Sequence, residues 1–393
     1  MSTVTESLLN SWSSNRNVLI YGPPGTGKTR MIGELFDMLQ EPPEASSGIL
    51  MNPLDAAAPF SRPRIDIPIP QPVNVVWATF HQSFGYEDFV IGMRPEISQG
   101  ETRLVPHAGL FLDAALELAD TNSNYKSVVI FIDEINRGNA ARIFGEFLTF
   151  LDFDYRDEGT IPLPLPLRQL AYSEGLSEEI VRLNGARVRI PNDFTFPRHV
   201  YVVGTMNSVD RAAIPIDSAL ARRFDRLEMR PDLHVLQELW SIDDTRLDNR
   251  SDESWHTLSP FETAYLLLDR LNVSIASDLG TEFELGHGLL VPLRRSGTEG
   301  VGDNVPTDDA TAWEQLFNLW DQVIYPQLED RYSGRIEQLL SLLRVDEPPT
   351  EGPYAFSLRS TRNGSMSSRA LAPVRLGEID VDTARRTLRW LAR

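Results

Sequence analysis

Apolar residues follow two rhythms along this chain. Five short runs are almost continuously apolar and β-branched: NVLIYG from Asn17, VNVVWATF from Val73, SVVIFIDE from Ser127, HVYVVGTM from His199 and the weaker FDRLEM from Phe224. Strands buried on both faces look like this, because neither side of the pleat meets water. Between them apolar positions return at steps of three and four, the period of a helix with one covered face. One such helix follows the first run and carries Met31, Leu35 and Leu39. A second covers Leu110 to Leu118, and a third spans Ala140 to Leu151 with Ile143, Phe147 and Leu151 on one face. Alternating strands and helices predict an α/β fold, with a parallel sheet sandwiched by helices.

Two stretches break the alternation. Residues 41–72 are rich in proline, alanine and serine and read as a loop insertion. Residues 153–198 hold PLPLPL and later NGARVRIPNDF, which reads as a long excursion containing a hairpin. Neither has the pattern of a core element. Beyond residue 230 the chain turns helical, in LHVLQELW, FETAYLLLDRL, WEQLFNLWDQVIYPQLEDRY and RIEQLLSLLR. The expected organisation is an α/β domain over 1–230, a smaller helical lid domain over 231–345 and a C-terminal extension over 346–393. That extension opens as a loop and ends in a short basic helix, VDTARRTLRWLAR.

Composition narrows the chemistry. The chain has 393 residues, 41% hydrophobic and 24% charged, which suits two or three soluble domains. No apolar run approaches the length of a bilayer span. The start, MSTVTESLLNSWSS, has no basic flank leading into an apolar block, so a cytoplasmic protein without membrane contact is expected. There are no cysteines, which excludes disulfides, zinc thiolates and thiol nucleophiles. The six histidines are scattered without ligand spacing. A formal net charge of -19 opposes a broad nucleic-acid-binding face, since phosphate neutralisation needs cations. Any DNA contact is then expected mainly through a partner; the acidity alternatively serves solubility alone.

Four motifs carry chemistry. GPPGTGKT occupies Gly22, Pro23, Pro24, Gly25, Thr26, Gly27, Lys28 and Thr29, between a strand and a helix. This is the context in which a glycine loop wraps phosphates with its backbone N–H groups at a helix N-terminus. Lys28 would reach the β- and γ-phosphates of a nucleotide, and the Thr29 hydroxyl would coordinate Mg²⁺. The run SVVIFIDE ends in Asp133, expected to hold the magnesium, and Glu134, expected to polarise the attacking water as general base. GTMNSVDR places Asn207 just past another buried strand, where a neutral amide can hold the lytic water or the γ-phosphate. SALARRFDR presents Arg222 and Arg223 on a short helix N-capped by Asp217. A guanidinium delivered there from a neighbouring subunit can stabilise the transferring phosphoryl group, and one of the pair is expected to be structural.

In this order, and followed by a helical lid, the set resembles an AAA+ P-loop module. More narrowly, it resembles the McrB family, the motor subunits of McrBC-type modification-dependent restriction systems. TFHQSFGYEDFVIGMRPE from Thr79, IDEINRGNAARIFGEFLTFLD from Ile132, GTMNSVDRAAIPIDSALARRF from Gly204 and ELGHGLL from Glu284 carry that likeness. The resemblance spans roughly residues 15–345. It implies a hexameric ring, GTP preferred over ATP, and stimulation by a McrC-like nuclease subunit. It also places Asn136 and Asp210 near the hydrolysis centre. The Asn207–Asp210 spacing mimics the guanine reader of small GTPases, but a strand end facing the γ-phosphate is the wrong place for it. The Walker strand begins at Asn17, so the family's N-terminal DNA-recognition domain is expected to be missing. The competing expectations are a MoxR-like AAA+ chaperone that remodels a protein partner, and a non-catalytic scaffold, which the intact Asp133–Glu134 pair opposes.

Overall fold

The computed structural model describes residues 3–40, 67–98, 100–156, 179–190, 194–209, 216–242, 254–293, 309–363, 366–372 and 374–393. Most of the expected insertion at 41–72, residues 157–178 of the second, and Asp210 lie outside the described residues. The chain divides into two compact units, one of Met1–Tyr21 with Lys28–Met229, the other of Gly22–Gly27 with Arg230–Arg393.

In the first unit, α1 (Thr3–Ser11) precedes β1 (Asn17–Gly22), and α2 is Lys28–Gln40. Then come β2 (Val73–Thr79), α3 (Tyr86–Phe89), the strands β3 (Ile91–Ser98) and β4 (Glu101–Ala108), and α4 (Leu110–Ala119). β5 (Ser127–Asp133) and α5 (Ala140–Phe144) follow, then β6 (Glu179–Val181), β7 (Arg187–Arg189), β8 (Val200–Asn207), α6 (Ser218–Ala221) and β9 (Asp225–Glu228). The main sheet has the order β2-β5-β8-β1-β9. β2 pairs with β5, β5 with β8 and β1 with β9, all parallel.

The apolar strands are continuous because the sheet is covered on both faces, and the pleat sorts their side chains. Leu19, Val128, Ile130, Ile132, Val200 and Val202 enter one core with Phe111 of α4 and Phe144 of α5. Val18, Ile20, Val129, Phe131, Tyr201 and Val203 enter the other, against Leu8 of α1 and Met31, Ile32 and Leu35 of α2. From Val128 to Ile132 every side chain is fully buried. At about 1.5–3 kcal/mol each, this strand is among the strongest anchors of the sheet.

Two expectations are corrected. The helix expected over Ala140–Leu151 is α-helical only to Phe144 and continues as a 3-10 segment, Gly145–Leu151. Gly145 takes φ +53°, and a Cβ there would meet the Tyr86 ring at 2.8 Å, so the chain turns where only glycine fits. Ile143, Phe147 and Leu151 are buried all the same. The excursion read as lying outside the core instead contributes Ile180, Ile190, Phe194 and Phe196 to it. Phe196 stacks on Phe111 and Phe150, with centroids 5.0 and 5.1 Å apart. The hairpin expected in that excursion is present, with β6 antiparallel to β7 and Glu179 opposite Arg189, but it belongs to a second sheet, β3-β4-β6-β7, whose β3–β4 pair was not legible. Arg182 fastens it to α4 through Asp113 at 2.9 Å and Glu117 at 2.6 Å.

The second unit is mostly helical. It comprises α7 (His234–Trp240), α8 (Pro260–Asp278), α9 (Asp309–Leu319), a π-helical turn over Trp320–Ile324, α10 (Tyr325–Arg331) and α11 (Ile336–Leu342). An isolated hairpin, β10 (Leu358–Asn363) and β11 (Met366–Leu371), interrupts the segment read as a loop, before α12 (Val381–Leu391). A reciprocal capping box between Ser259 and Glu262 starts α8. Midway along α8, Arg270 donates to the carbonyls of Leu342 and Leu391, at the C-terminal ends of α11 and α12, where a cation meets the negative end of each helix dipole. Leu376, Ala384, Leu388 and Leu391 share one core with α8 and α9. No helix among the described residues is long and apolar enough to cross a membrane.

Candidate functional site

The phosphate-loop motif starts where β1 ends. Gly22, Gly25 and Gly27 have φ of 156°, 80° and 88°, and the latter two conformations are strained for any side chain. Thr26 closes the loop by donating its hydroxyl to the Pro23 carbonyl at 3.1 Å. Within the second unit the loop is packed against Gly286-His287-Gly288. The Gly288 amide donates to the Gly25 carbonyl at 2.8 Å. A Cβ on Gly286 would lie 2.3 Å from Pro24 O and Gly25 C, so this contact is backbone on backbone. His287 is fixed beside it: its Nδ1 accepts from the Asp232 amide at 3.0 Å.

The first unit gathers the charged part of the site. Lys28, first residue of α2, is buried. Burial draws its pKa down from 10.5 to about 8, against the opposing pull of Glu134 and Asp133. Asp133 ends β5, and the register pairing Ile132 with Gly204 sets it level with Thr205 of β8. The Thr205 hydroxyl donates to Asp133 Oδ1 at 2.6 Å and accepts the Glu134 amide at 3.1 Å. One buried hydroxyl therefore sets both acids. It also holds Glu134 at φ +55°, a left-handed conformation that costs a non-glycine residue about 1–3 kcal/mol. The turn aims the carboxylate at two partners. Asn207 Nδ2 donates to Glu134 Oε1 at 2.6 Å, and Arg137 Nε lies 3.4 Å from Oε2.

Asn136 follows on a short 3-10 turn and is buried. Its amide donates to the Asn207 carbonyl at 3.2 Å, while its Oδ1 has no hydrogen-bond partner among the described residues. Thr29 is exposed beside Lys28. The structure thus brings Lys28, Asp133, Glu134, Asn136 and Asn207 into one electrostatic and hydrogen-bonded group.

The two arginines separate. Arg223 donates through Nε to Asp152 Oδ2 at 2.8 Å and through Nη1 to the Ala219 carbonyl at 2.7 Å. Arg222 caps α6, is exposed, and has no side-chain partner among the described residues. Sequence reasoning passed over Thr205, Arg137 and Arg156. Thr205 carried a legible signal, a short hydroxyl side chain in a mostly apolar run two positions before Asn207. Arg156 carried none. Its guanidinium is fully buried and serves backbone carbonyls.

The donor set can be tested against Mg²⁺, a hard cation that usually takes one or two protein oxygens and completes its shell with phosphate oxygens and water. Asp133 fits. Thr205 occupies its Oδ1, and Oδ2 has no hydrogen-bond partner among the described residues. Thr29 adds a hydroxyl on the first turn of α2.

Comparison with known proteins finds an AAA family and restriction-enzyme relatives. The family AAA domain (dynein-related subfamily) matches residues 70–224. The chain is similar to the Type IV methyl-directed restriction enzyme EcoKMcrB subunit of Escherichia coli (strain K12), 28% identical over 323 residues, 80% of this chain and 57% of that protein. It is also similar to the Type II restriction enzyme BsuMI component YdiS of Bacillus subtilis (strain 168), 28% identical over 223 residues, 54% of this chain and 57% of that protein. The aligned part is thus little more than half the length of either relative.

Proposed function

We propose that this McrB-like AAA+ protein is a Mg²⁺-dependent nucleoside triphosphatase, the motor subunit of a restriction or defence complex that works with a McrC-like nuclease. The observation that carries the reading is the single Thr205 hydroxyl that seats both Asp133 and Glu134, with Asn207 on the carboxylate of the latter. An activated base needs a second group that fixes its orientation, and Asn207 supplies it.

In this reading the loop from Gly22 to Gly27 and the Lys28 ammonium bind the phosphates. Glu134 takes the proton of the attacking water through Oε2, while Asn207 holds Oε1. Mg²⁺, held by Thr29 and the free oxygen of Asp133, would neutralise phosphate charge. Asn136 and Asp210 are assigned supporting roles at the same centre. Arg222 stabilises charge on the γ-phosphate of a neighbouring subunit, and Arg223 anchors the turn that presents it. The sites then lie between subunits, so hydrolysis requires assembly into a ring, most simply a hexamer. GTP is the preferred substrate by family likeness. DNA is engaged through the nuclease partner.

Mass photometry with a non-hydrolysable nucleotide should give the higher oligomer, and hydrolysis of GTP and ATP should be compared with and without the co-purified nuclease subunit. A fully active monomer whose rate is unmoved by the nuclease would defeat the motor reading. A strong ATP preference would defeat the GTP assignment and favour a protein-remodelling ATPase.

A further inference from the structure

Asn17 is an unexpected residue for its place. It opens a central apolar strand and is fully buried. A buried amide is costly unless it is satisfied, so its partners say what it does. Its Nδ2 donates to the carbonyl of Leu151 at 2.6 Å and to the carbonyl of Arg223 at 3.0 Å. The fully buried Arg156 approaches its Oδ1 at 3.4 Å and donates at the same distance to Leu151 O. The residue after Leu151 is Asp152, which accepts from Arg223 Nε at 2.8 Å. Arg223 is therefore held on its main chain by Asn17 and on its side chain by Asp152, besides its bond to the Ala219 carbonyl. Both clamps converge next to Arg222, whose side chain is left outward.

We propose that Asn17 and Asp152 are positioning residues for Arg222, fixing the turn that delivers it to a neighbouring subunit. The inference rests on the reading that Arg222 acts in trans. Its added content is the clamp and where the clamp is rooted. Asn17 is the first residue of β1, and β1 ends at Gly22, where the phosphate loop begins. The strand that carries a subunit's own phosphate loop also fixes the arginine it offers next door. A finger fixed beforehand loses less conformational freedom on docking than a free one. An arginine finger is worth about 10³–10⁵-fold in rate, and a misplacement of about 1 Å costs on the order of 10²-fold. Loosening either clamp should thus cost roughly 10–100-fold in kcat without weakening nucleotide binding.

The test is subunit mixing. Asn17→Ala, Asp152→Ala and Arg222→Ala proteins are each assayed for GTP and ATP hydrolysis alone, then with excess Glu134→Gln protein. The latter lacks its base but carries an intact finger. Asp152 is partly exposed, so its variant keeps the test open should Asn17→Ala fail to fold. The expected result is that all three variants are slow alone, retain nucleotide affinity, and recover when Glu134→Gln neighbours supply fixed fingers. Recovery of Arg222→Ala without recovery of either clamp variant would overturn the inference and leave the shared-site reading standing. Failure of Arg222→Ala itself to recover would remove the trans reading and the inference with it. Full activity of Asp152→Ala alone would likewise overturn it. A defect confined to a subunit's own site or stability would not be repaired by a neighbour's arginine.

Discussion

Glu134→Gln is expected to separate catalysis from binding in the proposed site, and the structure sets the size of each effect. Glutamine keeps a carbonyl oxygen at Oε1, so the 2.6 Å bond from Asn207 survives and the side chain stays aimed. The backbone restraint from Thr205 uses the residue 134 amide and does not depend on the side chain. What is lost structurally is the ion pair with a half-exposed Arg137 at 3.4 Å, worth about 0–1 kcal/mol. What is lost chemically is the proton acceptor. General-base assistance contributes roughly 10²–10⁴-fold, or about 2.7–5.4 kcal/mol at 1.36 kcal/mol per decade. The catalytic loss therefore exceeds any stability loss several-fold. Phosphate release should fall at least about 10²-fold. Affinity for a fluorescent nucleotide should stay within about threefold, because removing an anion beside the phosphates does not oppose their binding. The melting temperature should hardly move. Hydrolysis at the wild-type rate would refute Glu134 as base. A fall in rate matched by an equal loss of affinity would refute the geometry.

Three further outcomes follow from the structure. Lys28 carries its charge below pH about 8 and loses it above, so metal-free nucleotide affinity should fall as pH rises through that value, with proton uptake on binding; calorimetry from pH 6.5 to 9.5 giving a flat profile would remove the lysine from phosphate binding. Gly286→Ala would press a Cβ against Pro24 O and Gly25 C, so nucleotide affinity should drop at least about tenfold if the loop shape matters, as substitution at a backbone–backbone contact cannot be absorbed by a rotamer; unchanged affinity by fluorescence titration would show that the loop tolerates the shift. Arg156→Met removes the guanidinium from the buried carbonyls of Phe150 and Val200, at about 1–3 kcal/mol each, while Leu151 O keeps its bond from Asn17; a loss of at least about 2 kcal/mol should lower the melting temperature by roughly 4 °C or more by calorimetry, and no change would mean that water replaces the guanidinium.

β1, β5 and β8 were legible because burial on both faces keeps their runs almost wholly apolar, whereas β9, DRLE at the sheet's edge with no buried residue, showed only as a weaker pattern. The sequence also exposed the phosphate loop and the two acids, since each motif is short and continuous. The β3–β4 part of the second sheet was hidden because away from Ile91 and Ala108 it is largely exposed on both faces and mixes prolines and charges with apolar residues: Met93 and Ile97 of β3 and Leu104 of β4 are exposed. The break at Gly145 was hidden because Ile143, Phe147 and Leu151 keep helical spacing through a segment that is not α-helical.

The parts that organise the chemistry were invisible for a different reason. Thr205 meets Asp133 across 72 positions, and Asn17 meets Arg223 across 206. Each pairing exists only once parallel strands far apart in sequence settle into one register, and a slip of one residue would turn Thr205 to the opposite face. Nothing local announces such a register. A lone polar residue in an apolar strand does announce that something must satisfy it. Asn17 in NVLIYG and Thr205 in HVYVVGTM are such residues, and both lead to the candidate site: Thr205 seats the two acids, and Asn17 holds the arginine turn. The strand interiors thus carry the stability of the sheet, while its few buried polar atoms place the groups proposed to react.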